Sequence, residues 1–287
     1  MRRPPPTNLA QIRHPGPVNS TRRPFALCSA KRIDLQIPAG EPLLDKLGEW
    51  AERENFSSAV LDLSGVKLKS FEYVMPDCAI DDRHVAWYSD TQNCRSATIR
   101  EGVAILGWRD GRWFTHAHAY WPHNNANHLG HLLPHTLVAE DTSRITGWGL
   151  SSASFVAKED PETEFTLYRT VQNTGAKTDT ANALITTLAP FEDLTASIAD
   201  LAKQLDTETY EVLGLGSLAG AAFIDGKPMT GLISEILLQP GAVGRRDGDV
   251  KIPIRCVDLD GGLHSGYVLE GGAPTLVTCE LLLVSTS

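Results

Sequence analysis

The chain has 287 residues, of which 42% are hydrophobic and 21% are charged, and this is typical of a soluble globular protein. No apolar run approaches the roughly 18 residues that a membrane-spanning helix needs, and the N-terminus lacks the apolar segment of a secretory signal. The 26 basic and 35 acidic residues give a net charge of −9. We therefore expect a cytoplasmic protein with no membrane partner.

The basic residues are concentrated at the N-terminus. Residues 1–32 contain seven basic residues, no acidic residue and six of the 17 prolines, which predicts an extended basic arm over this range. The rest of the chain then has 19 basic against 35 acidic residues, a net charge of −16. A body this acidic repels a phosphate backbone, so nucleic acid is a disfavoured partner that only the arm could attract.

The first predicted elements after the arm are a strand, a helix and a second strand. Apolar and polar residues alternate over 32–37, which predicts a strand. Pro42 suits a first helical turn, and Leu43, Leu47 and Ala51 follow at helical spacing. Residues 58–65 then form a predicted strand that ends in a glycine turn at Gly65.

The same pattern recurs 151 residues later. A helix is predicted to open at 191–194 and to continue to Leu205, and a strand over 210–218 includes Gly216, the counterpart of Gly65. A constant offset over both a helix and a strand indicates an internal duplication.

Short strands separated by glycine turns complete both halves of the predicted fold. They are predicted at 97–108, 112–121 and 131–138 in the first half, and at 232–238, 250–257, 266–269 and 276–284 in the second. One helix with several short strands in each half predicts an α+β protein with mainly antiparallel sheet.

Histidines are concentrated between positions 116 and 135. His116 and His118 are two residues apart on a predicted strand, so their side chains share one face. His131 is the best third ligand, because Gly130 before it allows a close backbone approach. Three imidazoles with one open position form the ligand set of a catalytic zinc site, although another divalent transition metal is also compatible. We interpret His123 and His128 as part of a solvated loop.

These features together resemble the plants-and-prokaryotes-conserved (PPC) domain in two copies. The resemblance is carried by the Gly-Glu-Pro-Leu-Leu helix start, the strand to Gly65, the His-x-His strand and the Gly-His-Leu at 130–132. It implies two tandem PPC-like domains, at 33–150 and 165–287, each a mainly antiparallel sheet with a flanking helix. It also implies a homotrimer, a metal site formed by His116, His118 and His131, and, through the plant members, DNA binding.

The second copy lacks the histidines. Ile252-Pro253-Ile254 is predicted to replace the His-x-His, and Tyr267 is predicted to replace His131. This indicates one site per chain, with the second half supporting assembly or forming one wall of the pocket.

Charged residues near the histidines suggest a catalytic role for the site. Glu101 is a candidate general base, and Arg95 and Arg100 are candidates for holding a substrate carboxylate. We therefore predict a metal-dependent hydrolase, lyase or isomerase that acts on a small polar or anionic metabolite.

Two alternatives remain open at this stage. One is a DNA-binding or regulatory protein that uses the basic arm. The other is a non-catalytic module with a structural or ligand-binding metal, which a fourth protein ligand such as His135 would favour.

Overall fold

The computed structural model describes residues 2–175 and 181–286. Residues 1, 176–180 and 287, which the predicted arm and second domain include, lie outside the described residues. The first half contains β1 (Phe25–Ile37), α1 (Leu43–Arg53), β2 (Ser58–Asp62), β3 (Lys67–Leu68), β4 (Phe71–Val74), β5 (Pro76–Cys78), β6 (Ala86–Tyr88), β7 (Gln92–Cys94), β8 (Ala97–Thr98), β9 (Glu101–Arg109), β10 (Arg112–His123), β11 (Ala126–Leu132), β12 (Ser143–Ser151), β13 (Ala153–Glu159) and β14 (Thr166–Gln172).

The second half contains β15 (Ala183–Leu188), α2 (Leu194–Leu201), β16 (Thr209–Leu218), β17 (Ser234–Leu238), β18 (Val243–Arg245), β19 (Val250–Lys251), β20 (Pro253–Asp258), β21 (Leu263–Tyr267) and β22 (Thr275–Ser285). Three single turns of 3₁₀ helix lie at Leu9–Gln11, Pro134–Thr136 and Ala202–Gln204. The predicted mainly antiparallel sheet with few helices is therefore confirmed. None of the helices in the described residues is long and apolar enough to cross a membrane.

The two halves pair their strands in the same order. In the first half the order is β1, β12, β2, β9, β10, β11. In the second half it is β15, β22, β16, β17, β20, β21. The long strand β1 joins the two sheets, because its first residues pair with β15 and the rest pair with β12.

The sheets pack face to face, and each carries one helix on its outer face. Helix α1 buries Leu47 against the outer face of the first sheet, and α2 buries Ile198 against the outer face of the second. A third core lies between the sheets, where Ile105 of the first sheet and Leu282 of the second are both fully buried. The alternation of strand side chains therefore divides each sheet into a helix-facing side and an inner side.

The histidine-rich segment differs from the prediction. Strand β11 spans Ala126–Leu132, whereas we predicted a strand over 131–138 preceded by a solvated loop. The reason is a two-residue turn at Asn124 and Asn125, which both have positive φ angles of 49° and 61°. Asparagine tolerates this conformation, and the turn joins β10 and β11 directly into a hairpin. The strand ends before the 3₁₀ turn that begins at Pro134.

The basic arm packs on the acidic body. Ile12 is completely buried, and the Arg22 guanidinium contacts the Glu162 carboxylate at 2.6 Å. Arg2 forms an ion pair with Asp77 at 3.0 Å. Strand β1 begins at Phe25, so the last residues of the segment that we assigned to the arm belong to the sheet.

Candidate metal centre

Three histidines meet on the inner face of the first sheet, as the sequence predicted. His116 and His118 lie on β10, and His118 is directly opposite His131 on β11. One nitrogen from each of the three rings can be chosen so that all three atoms lie within 4.8 Å of one another. A side chain at Gly130 would come within 2.8 Å of the Val74 carbonyl oxygen, so only glycine lets β4 pair beside His131.

The second half of the chain completes this cluster from the opposite sheet. The Glu280 carboxylate lies 2.7 Å from His116 Nδ1, and the backbone carbonyl of Ile236 lies 2.7 Å from His118 Nδ1. Glu235 Oε2 is 2.9 Å from His118 Nε2. Glu235 and Glu280 are both buried. Neither carboxylate was selected from the sequence. The sign that could have revealed them is that each is a single acidic residue within an otherwise apolar strand.

The hydrogen bonds fix which ring nitrogens face the centre of the cluster. Because carboxylate and carbonyl oxygens only accept, His116 and His118 each donate from Nδ1, and in the neutral form of each ring the lone pair is therefore on Nε2. These two Nε2 atoms are 3.1 Å apart, and a Glu235 carboxyl oxygen lies 2.9 Å from the Nε2 atom of His118. Acceptors this close repel one another unless a proton or a metal cation lies between them.

The spacing of these atoms suits a tetrahedral metal ion. Metal–nitrogen bonds of about 2.0–2.1 Å imply edges of about 3.3 Å between neighbouring ligand atoms. The observed separations of 3.1 Å between the two Nε2 atoms and 2.9 Å to Glu235 are slightly shorter than such edges. The carboxylate behind His116 and the carbonyl behind His118 are also the usual supports of metal-binding histidines. The residues present therefore fit a divalent transition metal.

Burial and charge shift the histidines in opposite directions. Burial alone would lower the pKa of His116, but the adjacent Glu280 carboxylate outweighs it and the pKa is raised. Burial lowers the pKa of His131 well below its usual value, and the neighbouring His116 and His118 lower it further. His131 is therefore neutral near pH 7, which is the form that binds metals.

A cavity of about 290 Å³ opens onto one side of the cluster. His116 and Glu235 line it together with residues of the β5–β6 hairpin, the segment that leads into β14, and strands β16 and β22. Tyr88 of the hairpin also approaches the cluster, with its hydroxyl 3.2 Å from His131 Nδ1. The histidine cluster is thus reachable by a small molecule that enters between the two halves.

The other residues predicted for the site lie outside the cluster. Glu101 forms a bidentate ion pair with Arg255, and both N–O distances are 2.7 Å. Burial alone would raise the pKa of Glu101, but this ion pair lowers it. Arg95 and Arg100 are exposed and are not among the residues that line the cavity.

The remaining histidines of this region also lie apart from the cluster. His128 stacks on Trp121 at the far end of the hairpin, with ring centroids 5.7 Å apart, and His123 lies beside it. His135 is exposed on a 3₁₀ turn and does not supply a fourth ligand.

The strand register corrects one predicted correspondence in the second half. Pro253 is opposite Tyr267 in the same way that His118 is opposite His131. Tyr267 therefore has the same place in its strand pair as His131 has in the first half. The counterparts of His118 and His116 are Pro253 and Lys251, one position earlier than the Ile254 and Ile252 that we predicted.

Comparison with known proteins gave matches among solved structures alone. No family model matches the chain, and no curated protein matches it. A metal-containing protein from Archaeoglobus fulgidus is 16% identical, with a TM-score of 0.39, and the match covers 50% of this chain and 96% of that one.

Two further solved structures show a similar degree of likeness. A plant- and prokaryote-conserved (PPC) protein from Pyrococcus horikoshii is 16% identical, with a TM-score of 0.37 and coverage of 54% of this chain and 99% of that one. A protein from Ralstonia eutropha, provisionally described as DNA-binding, is 18% identical, with a TM-score of 0.38 and coverage of 47% and 88%.

Proposed function

We propose that the chain is a metal-dependent enzyme whose single site lies between two PPC-like halves. The observation that carries this proposal is the convergence of two imidazole acceptors, His116 Nε2 and His118 Nε2, 3.1 Å apart in a place where a cation relieves their repulsion. His131 completes the ligand set, and zinc is the metal that best suits three imidazoles.

Each residue of the site has a distinct role in this proposal. Glu280 and the Ile236 carbonyl hold the rings of His116 and His118 in the ligating tautomer. When bound, the metal ion supplies Lewis acidity toward an oxygen atom of the ligand. Glu235, which lines both the cluster and the cavity, would accept or return a proton of the ligand bound there. This assigns to Glu235 the role that the sequence suggested for Glu101.

The tandem arrangement forms part of the same proposal. Strands pair in the same order in both halves, and helices α1 and α2 begin 151 residues apart, at Leu43 and Leu194. These two observations support an internal duplication in which the second copy lost its imidazoles. The homotrimer that the family resemblance implies is retained as a proposal, and light scattering coupled to size-exclusion chromatography measures it directly.

Metal analysis of the purified chain tests the proposal. The full chain, purified without added metal, should contain about one transition-metal ion per chain, and His118→Ala should contain none. His135→Ala is the matched control, because this exposed histidine lies outside the cluster and should leave the metal content unchanged. Circular dichroism confirms that each variant is folded. A wild-type chain without metal, or a folded His118→Ala variant with full metal content, would contradict the proposal.

A closed structural metal site is the second candidate, and the position of Glu235 favours it. An oxygen 2.9 Å from His118 Nε2 is close enough to serve as a fourth ligand. The variant Glu235→Gln separates the two functions. If Glu235 is the proton-transfer group, the variant keeps its metal affinity, whereas a fourth ligand would make zinc affinity fall sharply.

The DNA-binding alternative has less support, because three of the arm's arginines are already paired with carboxylates. Arg2 contacts Asp77, and Arg22 contacts Glu162 and Glu192. Arg23 contacts Glu192 and Asp200. Binding to duplex DNA would need these ion pairs to break, and it would weaken steeply with added salt. Salt-dependent DNA binding that is lost on deletion of residues 1–32 would revive this function.

A further inference from the structure

We propose that the cavity beside the histidine cluster binds an uncharged ligand with an apolar, ring-sized body and one polar head group. This inference rests on the proposed function, because the head group is held at the metal site. Its apolar body departs from the small polar or anionic metabolite that the sequence suggested.

The walls of the cavity are mainly apolar. Trp87 and Phe165 stand side by side, with ring centroids 5.7 Å apart, and the cavity also contacts Leu167 and Val277. The two aromatic rings are held in place from behind by His84, whose ring lies 5.1 Å from Trp87 and 4.8 Å from Phe165. Aromatic surfaces of this kind favour a planar or cyclic apolar group packed against them.

The charges around the cavity disfavour an anion. Among its lining residues in the described part of the chain there is no lysine or arginine, and Glu235 is the acidic residue that lines it. Glu280 lies just behind His116 and adds a second carboxylate. These two carboxylates already balance the charge of one divalent ion held by neutral imidazoles. A negatively charged ligand body would therefore find no partner and would be repelled by Glu235.

One polar group in the cavity has no partner inside the protein. Thr278 lines the cavity and is 4% exposed, yet its hydroxyl forms no hydrogen bond within the part of the chain that the structure describes. Ser217, which also lines the cavity, accepts a hydrogen bond from the Val277 amide and keeps its own proton available. Thr278 and Ser217 can therefore bind an uncharged polar head group beside the metal site.

Three hydroxamates that share one metal-binding head group test the inference. Acetohydroxamate has a methyl body, benzohydroxamate has a phenyl body, and the monohydroxamate of succinate has an anionic body. Isothermal titration calorimetry on the zinc-loaded full chain gives the three dissociation constants. We expect benzohydroxamate to bind about 10- to 100-fold more tightly than acetohydroxamate, because the phenyl ring leaves water for an apolar cavity. The succinate derivative should bind no more tightly than acetohydroxamate.

Each other outcome overturns a specific claim. Equal affinities for the three compounds would refute the apolar cavity while leaving the metal centre intact, and tightest binding of the succinate derivative would refute the uncharged class. If zinc is present but none of the three binds, the site is closed and the proposed enzymatic function fails as well.

A variant of the cavity wall provides an independent check. Phe165→Ala should abolish most of the preference for benzohydroxamate and should not change the affinity for acetohydroxamate. Trp148→Ala is the matched control, because Trp148 on β12 contacts Arg32 on the neighbouring strand β1 and does not line this cavity. An unchanged preference in a folded Phe165→Ala chain would overturn the inference.

Discussion

Replacing Glu280 by glutamine tests whether this carboxylate supports a metal-binding imidazole. The Glu280 side chain is 1% exposed, and its Oε2 lies 2.7 Å from His116 Nδ1. Glutamine keeps the shape and an oxygen that accepts the Nδ1 hydrogen, but it removes the negative charge that strengthens His116 as a ligand. Loss of such a supporting partner typically lowers metal affinity by about 10- to 100-fold, or about 1.4–2.7 kcal/mol. Because the hydrogen bond survives in Glu280→Gln, we expect the lower end of this range.

Competition with a chromophoric zinc chelator at fixed pH measures this change directly. Glu211→Gln serves as the control, because Glu211 pairs at 3.2 Å with the exposed Arg32 and lies outside the cluster. Its zinc affinity should equal that of the wild type. Thermal denaturation of both variants in excess chelator establishes that they fold. A folded Glu280→Gln chain with wild-type zinc affinity would refute the reasoning that places Glu280 behind a metal ligand.

Three further predictions concern the surroundings of the site. Glu101→Gln should lower the free energy of unfolding by about 1.5–3 kcal/mol in urea denaturation, because it weakens the ion pair with Arg255, and it should leave the zinc content unchanged. Burial lowers the pKa of His14, so its contribution to stability is complete above about pH 6.5 and falls at lower pH. The melting temperature of His14→Gln should therefore depend less on pH between 7.5 and 5 than that of the wild type. Deleting residues 2–20 should weaken benzohydroxamate binding in calorimetry without loss of zinc, because the arm supports the cavity wall through contacts with Asp77 and Glu162.

The parts of the fold that depend on local sequence could be predicted. Helices α1 and α2 begin at Leu43 and Leu194, where the proline and the acidic N-cap precede apolar residues at helical spacing. His116 and His118 share a face because strand side chains alternate, and Gly130 marks the close approach beside His131. In each case the evidence lies within a few residues of the predicted feature.

Features that depend on distant pairing could not be predicted in the same way. His116 and Glu280 are 164 positions apart and meet only because two sheets pack face to face. The short strand β6, which carries part of the cavity wall, has too few residues for an alternating pattern to show. The turn at Asn124 and Asn125 could not be distinguished from a longer solvated loop, because polar residues between two histidines are typical of both.

The buried carboxylates are the strongest indication that the inner face of the second sheet has a function. Moving a carboxylate out of water costs several kcal/mol, and an apolar residue at the same position would often stabilise the fold equally well or better. Glu235 and Glu280 nevertheless lie on strands β17 and β22, whose other inner residues, such as Leu237 and Leu282, form the core between the sheets. Each of the two carboxylates lies beside an imidazole of the first half. Packing alone does not explain this arrangement, whereas a cation held jointly by both halves does, because it compensates the buried negative charge and uses the imidazoles that surround it.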